Sequence, residues 1–326
     1  MRFLLAFAFL FLPAALWAAC TGTDQRLALS AQDRAAIDAQ VAATPFAEGN
    51  HWIARRGSRT LHVIGTMHIN DPRLDAVSDA LAPVIAQADL LLLEGTKREM
   101  AELVTAIGRD PSLTLITEGP SLIDRLEPAE WESLAATARA NGVAPWMAAK
   151  MRPWFLAVSM AVPPCLRASP ESTNGLDRRL EQAADEAGTA TRALESPMTL
   201  FEVFNSEPLE EQVRQLRAYL TLLGGEQDAV HTMIESYFDE QALTYFTIYQ
   251  RDFLQSDALP PQETRRIWQE TMMALLDNRN RAWIPVIEAA EGDLIVVAAG
   301  ALHLPGETGV LNLLQQEGYS LERAPF

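Results

Sequence analysis

The sequence predicts a mixed α/β fold, a central β-sheet flanked by many helices. Three observations carry that expectation. Short runs rich in Val, Ile and Leu occur near both ends of the 326-residue chain. Long stretches of helical pattern fill the middle. An order of strand, Gly-x-x-His, Pro-started helix and strand occurs twice, first around "LHVIGTMHINDP" and again around "VVAAGALHLP". With 48% apolar residues the chain can build a substantial core. A formal charge of -17 argues against nucleic-acid binding, which needs a basic surface.

The elements follow in order. Residues 1–19, within "MRFLLAFAFLFLPAALWAAC", read as a secretory signal peptide: one Arg, an apolar run, then small residues. Trp17, three residues before Cys20, makes a poor lipoprotein signal, and no later run is long and apolar enough to span a membrane. The mature protein is therefore expected to be exported, periplasmic or secreted, without a transmembrane span. In an oxidising compartment the two cysteines, Cys20 and Cys165, are expected to form a disulfide; two unlinked thiols are the alternative.

Ser30 to Ala43 reads as an amphipathic helix. "HWIARRGSRTLHVIG" reads as a hairpin turning at Arg56-Gly57-Ser58. Asp71-Pro72 signals a helix start, Asp as cap and Pro in the first turn, for a helix from about Arg73 to Ala88. "ADLLLLEGT" is a continuous apolar run ending in Glu94 and suits a strand buried on both faces. Helical pattern then runs to about Leu166, and again in "GLDRRLEQAADEAG", which stops at Gly188. "TRALESP" predicts a short strand ending in Glu195. Met198 to Glu291 is helical, broken at Gly224-Gly225 and Pro260-Pro261. The last unit is the strand "DLIVVAAG", His303, Pro305, a helix through Gln316 stopped by Gly318, and an edge strand "YSLER". Strands from both ends imply one sheet, hence a single domain over 20–326 with a helical insertion at about 97–291. The repeated order suggests an internal duplication.

Four polar residues, His68, Glu94, Glu195 and His303, fall just beyond apolar strands. In α/β sheets ligands collect beyond the carboxyl ends of strands. Two neutral imidazoles with a carboxylate suit a divalent ion such as Mn²⁺, Co²⁺ or Zn²⁺. Gly65 and Gly300, three residues before each histidine, are expected to allow unusual backbone angles and a close approach of neighbouring groups to the rings. Each residue also has a plainer explanation. A single His is usually a hydrogen-bonded structural group, and Glu94 could simply face solvent at its strand end. His51, His62 and His231 are read as structural. No HExxH, GxSxG, Walker loop or GxGxxG is present, which removes support for serine-hydrolase and nucleotide-binding classes.

Taken together, "GTMHINDPR", "LLLLEG", "KMRPWF", "GLDRRLEQAA", "ALESPMTLFE", "LLDNRNRAWIPVI" and "GALHLPGETGVLNLLQQEGY" resemble the TraB/GumN family, which includes PrgY proteins and is similar to the Tiki metalloproteases. The resemblance implies a fold like that of erythromycin esterase-like and ChaN-like proteins. It also implies a metal-dependent hydrolase site of His68, His303 and Glu94. Arg279 and Asn280 match the family's Arg-Asn pair, Arg279 to hold a carboxylate or stabilise an oxyanion. Glu195 takes whichever carboxylate role remains. The expected function is an exported metallopeptidase acting on a peptide or other small substrate. The alternative is a non-catalytic exported protein that captures a peptide signal, an envelope glycan or a haem-like ligand.

Overall fold

The computed structural model describes residues 22–160, 166, 173–220, 226–257 and 259–326. The expected signal peptide, both cysteines and the Gly224-Gly225 break lie outside the described residues.

Six strands form one mixed sheet: β1 (His51–Arg56), β2 (Arg59–Thr66), β3 (Leu90–Leu93), β4 (Thr191–Ala193), β5 (Leu294–Gly300) and β6 (Ser320–Arg323), in the order β4-β3-β5-β2-β1-β6. The fold class is thus the expected one. β1 and β2 form the predicted hairpin, with Arg56 opposite Arg59 and Gly57 at φ 62°, a left-handed angle that favours Gly in the tight turn. β6 pairs antiparallel with β1 at the sheet edge.

The four strands β4, β3, β5 and β2 are mutually parallel. They therefore end on the same side of the sheet, which fixes where strand-end side chains gather. Their apolar runs are explained by burial on both faces. In β5, Ile295, Val297 and Ala299 pack into one core with Trp283, Leu304 and Leu311, while Val296 and Ala298 pack into the other with Leu91, Leu93 and Leu180. Burying one such Val or Leu side chain contributes about 1.5–3 kcal/mol, so a polar residue inside these runs is strongly disfavoured.

The helical stretches between the strands build cores of their own. Leu122, Leu134, Leu156 and Leu216 form one, and Phe253, Ile267 and Trp268 another. β4 falls within the expected helical insertion and returns it to the sheet edge. No described helix is long and apolar enough to cross a membrane.

Local departures have local causes. The helix after His68 begins at Leu74; Asp71 accepts from the Arg73 N–H at 2.9 Å in the turn before it. Gly188 ends its helix in the left-handed conformation as expected, at φ 76°. Pro305 does not start a helix. The chain loops to Gly309, where an added Cβ would lie 2.3 Å from the Leu304 and Pro305 carbonyl oxygens, and the helix runs Val310–Gln316. The two halves therefore differ in this connection.

His51 and His62 have a structural role. His51 Nδ1 donates to the Pro325 carbonyl at 2.8 Å, so its Nε2 accepts from His62 Nδ1 at 2.9 Å. Burial, with the charges of His51 and Arg55, pushes His62 down to about 4. The ordinary value is 6.5, so the unfolded chain takes the proton first. This contribution to stability is complete above pH 6.5 and is lost as the pH falls toward 4. Urea midpoints are expected to fall between pH 7 and 5 in the native chain, and less steeply in His62→Gln; equal slopes would contradict this.

Candidate functional site

The site lies beyond the carboxyl ends of the four parallel strands. His68 follows β2, Glu94 follows β3, Glu195 lies two residues beyond β4, and His303 closes a 3₁₀ turn, Ala301–His303, after β5. Residues far apart in sequence meet because their strands are neighbours in the sheet.

Glu94 is the hub. Its Oε1 accepts from the Gly300 N–H at 2.6 Å and its Oε2 from Arg279 Nη2 at 2.6 Å. His303 Nε2 lies 3.8 Å from Glu94 Oε2. Burial alone would push the Glu94 carboxyl up. The charges of His303, His68 and Arg279 and the Gly300 N–H outweigh it and hold the group down at about 2. Glu94 is thus ionised at neutral pH.

The imidazoles are oriented by their other nitrogens. Asn280 donates through Nδ2 to the Thr308 carbonyl at 3.0 Å, so its Oδ1 accepts from His303 Nδ1 at 2.6 Å. That bond fixes the tautomer and leaves the His303 Nε2 lone pair free to accept. Burial pushes His303 down to about 4, against the pull of Glu94, so it is neutral. His68 Nδ1 donates to Asp177 Oδ1 at 3.1 Å, again leaving Nε2 outermost. Asp177 shifts this imidazole upward. The His68 side chain is 63% exposed, and water over its open edge limits the size of that shift.

Arg279 lies 8% exposed between the two glutamates and uses all five of its N–H groups. Nε and Nη2 donate to Glu195 at 3.0 and 2.6 Å, and Nη2 also reaches Glu94. Nη1 donates to the Leu275 carbonyl at 3.0 Å and to His303 Nε2 at 3.3 Å. A π-helical turn, Met273–Asp277, precedes it, and the helix Asn278–Glu288 carries Arg279, Asn280 and Trp283 on neighbouring positions. Trp283 is fully buried against the His303 ring, centroids 4.4 Å apart, and its Nε1 donates to Glu195 Oε2 at 3.2 Å.

Gly300 sits where these groups converge. A Cβ there would lie 3.2 Å from Glu94 Oε1, 3.6 Å from His303 Cδ2 and 3.9 Å from His68 Nε2. Gly300 thus serves close approach to the rings. It does so with ordinary backbone angles, φ -50°, and Gly65 likewise lacks a positive φ, which corrects half of the expectation. Gly65 packs on Ala301 and gives its carbonyl to the buried Tyr237 hydroxyl at 3.0 Å.

All six expected site residues, His68, Glu94, Glu195, Arg279, Asn280 and His303, are therefore linked by direct contacts or through Gly300. Asp177, Trp283 and Gly175 escaped the sequence reading. At Gly175 an added Cβ would lie 2.2 Å from the Met67 carbonyl oxygen and 2.6 Å from His68 Cα, so only glycine lets Asp177 reach the ring. The motif "GLDRRLEQAA" held two of the three, but a Gly-Leu-Asp helix start carries no sign of its distant partner.

The donor set fits a divalent cation in chemistry: two imidazoles with Nδ1 tied to oxygen acceptors and an ionised carboxylate beside them. The described residues do not, however, contain three His, Cys, Asp or Glu already gathered as a ready metal cluster. Arg279 supplies the positive charge between the glutamates.

A model of the TraB/PrgY/gumN family matches residues 50–323. The chain is 22% identical over 282 residues to the uncharacterized protein YbaP of Escherichia coli K12, over 82% of this chain and 94% of that protein. The Shigella flexneri protein of the same name matches to the same extent. The family model spans most of the chain and includes every site residue, so the chain belongs to the TraB/PrgY/gumN family.

Proposed function

We propose that this protein is an exported metal-dependent hydrolase, a metallopeptidase acting on a peptide or another small substrate. One observation supports it above the others: His68 through Nε2, His303 through Cδ2 and Glu94 through Oε1 converge on the side-chain-free Gly300, with each Nδ1 tied to an oxygen acceptor. These three residues would hold the ion, Mn²⁺, Co²⁺ or Zn²⁺. Such an ion supplies Lewis acidity, lowering the pKa of water and polarising a carbonyl oxygen.

The chain's own residues do the rest. Glu94, ionised and beside the histidines, serves either as a ligand or as the base that takes the proton of the attacking water, and Glu195 takes the carboxylate role that remains. Asp177 and Asn280 hold the imidazoles in one tautomer. Arg279 keeps Glu94 and Glu195 together and offers a fixed cation to developing negative charge. Asp177→Asn is expected to weaken metal binding by about 10–100-fold while leaving the fold intact, measured by competition with a chromophoric chelator. Unchanged affinity would remove Asp177 from this role.

The experiment is to prepare the mature protein metal-free, add each ion in turn, and screen peptides and esters for turnover. Metal-dependent cleavage supports the proposal; no cleavage with any ion sinks it. The guanidinium already seated between two carboxylates favours a second function, capture of a ligand without catalysis. Recovery of a tightly bound ligand unchanged would mark that outcome.

A further inference from the structure

A cavity lies beside this site. It occupies about 350 Å³ between the helices Pro153–Met160, Leu209–Leu220, Glu226–Phe238 and Ala242–Leu254 and the π-helical turn Met273–Asp277. That volume lies within the usual range for small-ligand pockets, roughly 300–1,000 Å³. Leu275 joins the two: it lines the cavity, and its carbonyl accepts from Arg279 Nη1 at 3.0 Å. A group in the cavity is therefore one residue away from the arginine that grips Glu94 and Glu195.

Its lining states the chemistry it accepts. None of the described lining residues carries a charge, although the chain has a net -17. Five aromatic rings share the lining with aliphatic side chains. Trp154 stacks on Phe204 with centroids 5.1 Å apart and planes 12° apart, and Tyr219, Tyr245 and Tyr249 line the cavity as well. An ionised group would lose its hydration there without an opposite charge, whereas a flat apolar ring would gain contact. One polar atom is left waiting. Gln212 is 1% exposed and lines the cavity; its Nε2 donates to the Glu207 carbonyl at 2.9 Å, which identifies Oε1 as the acceptor. That Oε1 has no hydrogen-bond partner among the described residues. A buried unpaired acceptor costs about 1–3 kcal/mol, which a ligand's donor would recover.

We propose that this cavity is a specificity pocket for a neutral aromatic side chain bearing a hydrogen-bond donor, the indole of Trp or the phenol of Tyr, in a peptide substrate. Its role as a substrate pocket rests on the peptidase proposal, but occupancy does not need the metal. Ring burial supplies affinity, and the N–H or O–H donates to Gln212 Oε1. A site built around such a bond discriminates against the analogue lacking it.

The test titrates N-acetyl-tryptophanamide, N-acetyl-tyrosinamide and N-acetyl-phenylalaninamide into the metal-free full chain, followed calorimetrically. The Trp or Tyr amide is expected to bind saturably, and the Phe amide about tenfold more weakly. Gln212→Met should abolish that difference while retaining binding, and Ala157→Trp, which fills the cavity, should remove binding of all three. Binding should persist in a His68→Ala/His303→Ala variant. Absence of saturable binding, or an unchanged Tyr/Phe ratio in Gln212→Met, would overturn the proposal. If the amides bind as described while no metal-dependent hydrolysis occurs, the pocket stands and the peptidase function falls.

Discussion

Replacing either His68 or His303 by alanine is expected to lower metal-dependent turnover by about 10³-fold or more. The reasoning is energetic. Lewis-acid stabilisation is worth several kcal/mol, and each 1.36 kcal/mol is tenfold in rate. The substitutions should act on the proposed metal site and leave the sheet in place, since both rings lie beyond β2 and β5. They will differ in stability. His303 is 4% exposed against Trp283, so its loss opens a void; the His68 side chain is 63% exposed, so its loss opens little. Steady-state rates with circular dichroism as the folding control check both halves. Turnover within threefold of the native protein in either folded variant would remove that histidine from the chemistry.

Arg279→Met is expected to have the largest effect on stability of any single change at the site, about 3–5 kcal/mol at pH 7. Removing the guanidinium leaves Glu94 and Glu195 facing one another, 19% and 13% exposed, with no cation between them. It also removes one of the charges that hold Glu94 down, so the Glu94 carboxyl should move up from about 2. The sign of the pH dependence follows. In the native chain a depressed carboxyl contributes stability above its unfolded value, 4.5, and loses it as the pH falls toward 2. In Arg279→Met that contribution shrinks, so the two proteins should converge in acid and diverge at neutrality. Urea denaturation from pH 7 to 2 measures this. A loss under about 1 kcal/mol at pH 7 would mean that the cluster does not depend on Arg279.

Much of this architecture is visible in the chain before folding. The hairpin at Arg56-Gly57-Ser58, the doubly buried Leu90–Leu93 run and the stop at Gly188 each follow from a local rule, alternation, apolar burial or left-handed glycine. The four polar residues were legible because each falls within three residues of the end of an apolar strand, and parallel strands end on one side of the sheet. What escaped depends on contacts across long sequence distances. Asp177 is 109 residues from His68, and nothing in "GLDRR" records that Gly175 will lie against the Met67 carbonyl. Trp283 was hidden for a different reason: four residues after Arg279 on a helix, it reads as ordinary core. Pro305 misled because proline favours a helix's first turn, yet the close packing at Gly309 placed the start later.

Cobalt offers the most direct measurement. The metal-free protein, titrated with Co²⁺, is expected to take up one ion per chain, and X-ray absorption of that complex should show two imidazole nitrogens among its ligands, both lost in the His68→Ala/His303→Ala protein. Failure to bind Co²⁺, or the same spectrum from the double variant, would contradict a shared cation between the two ends of the chain.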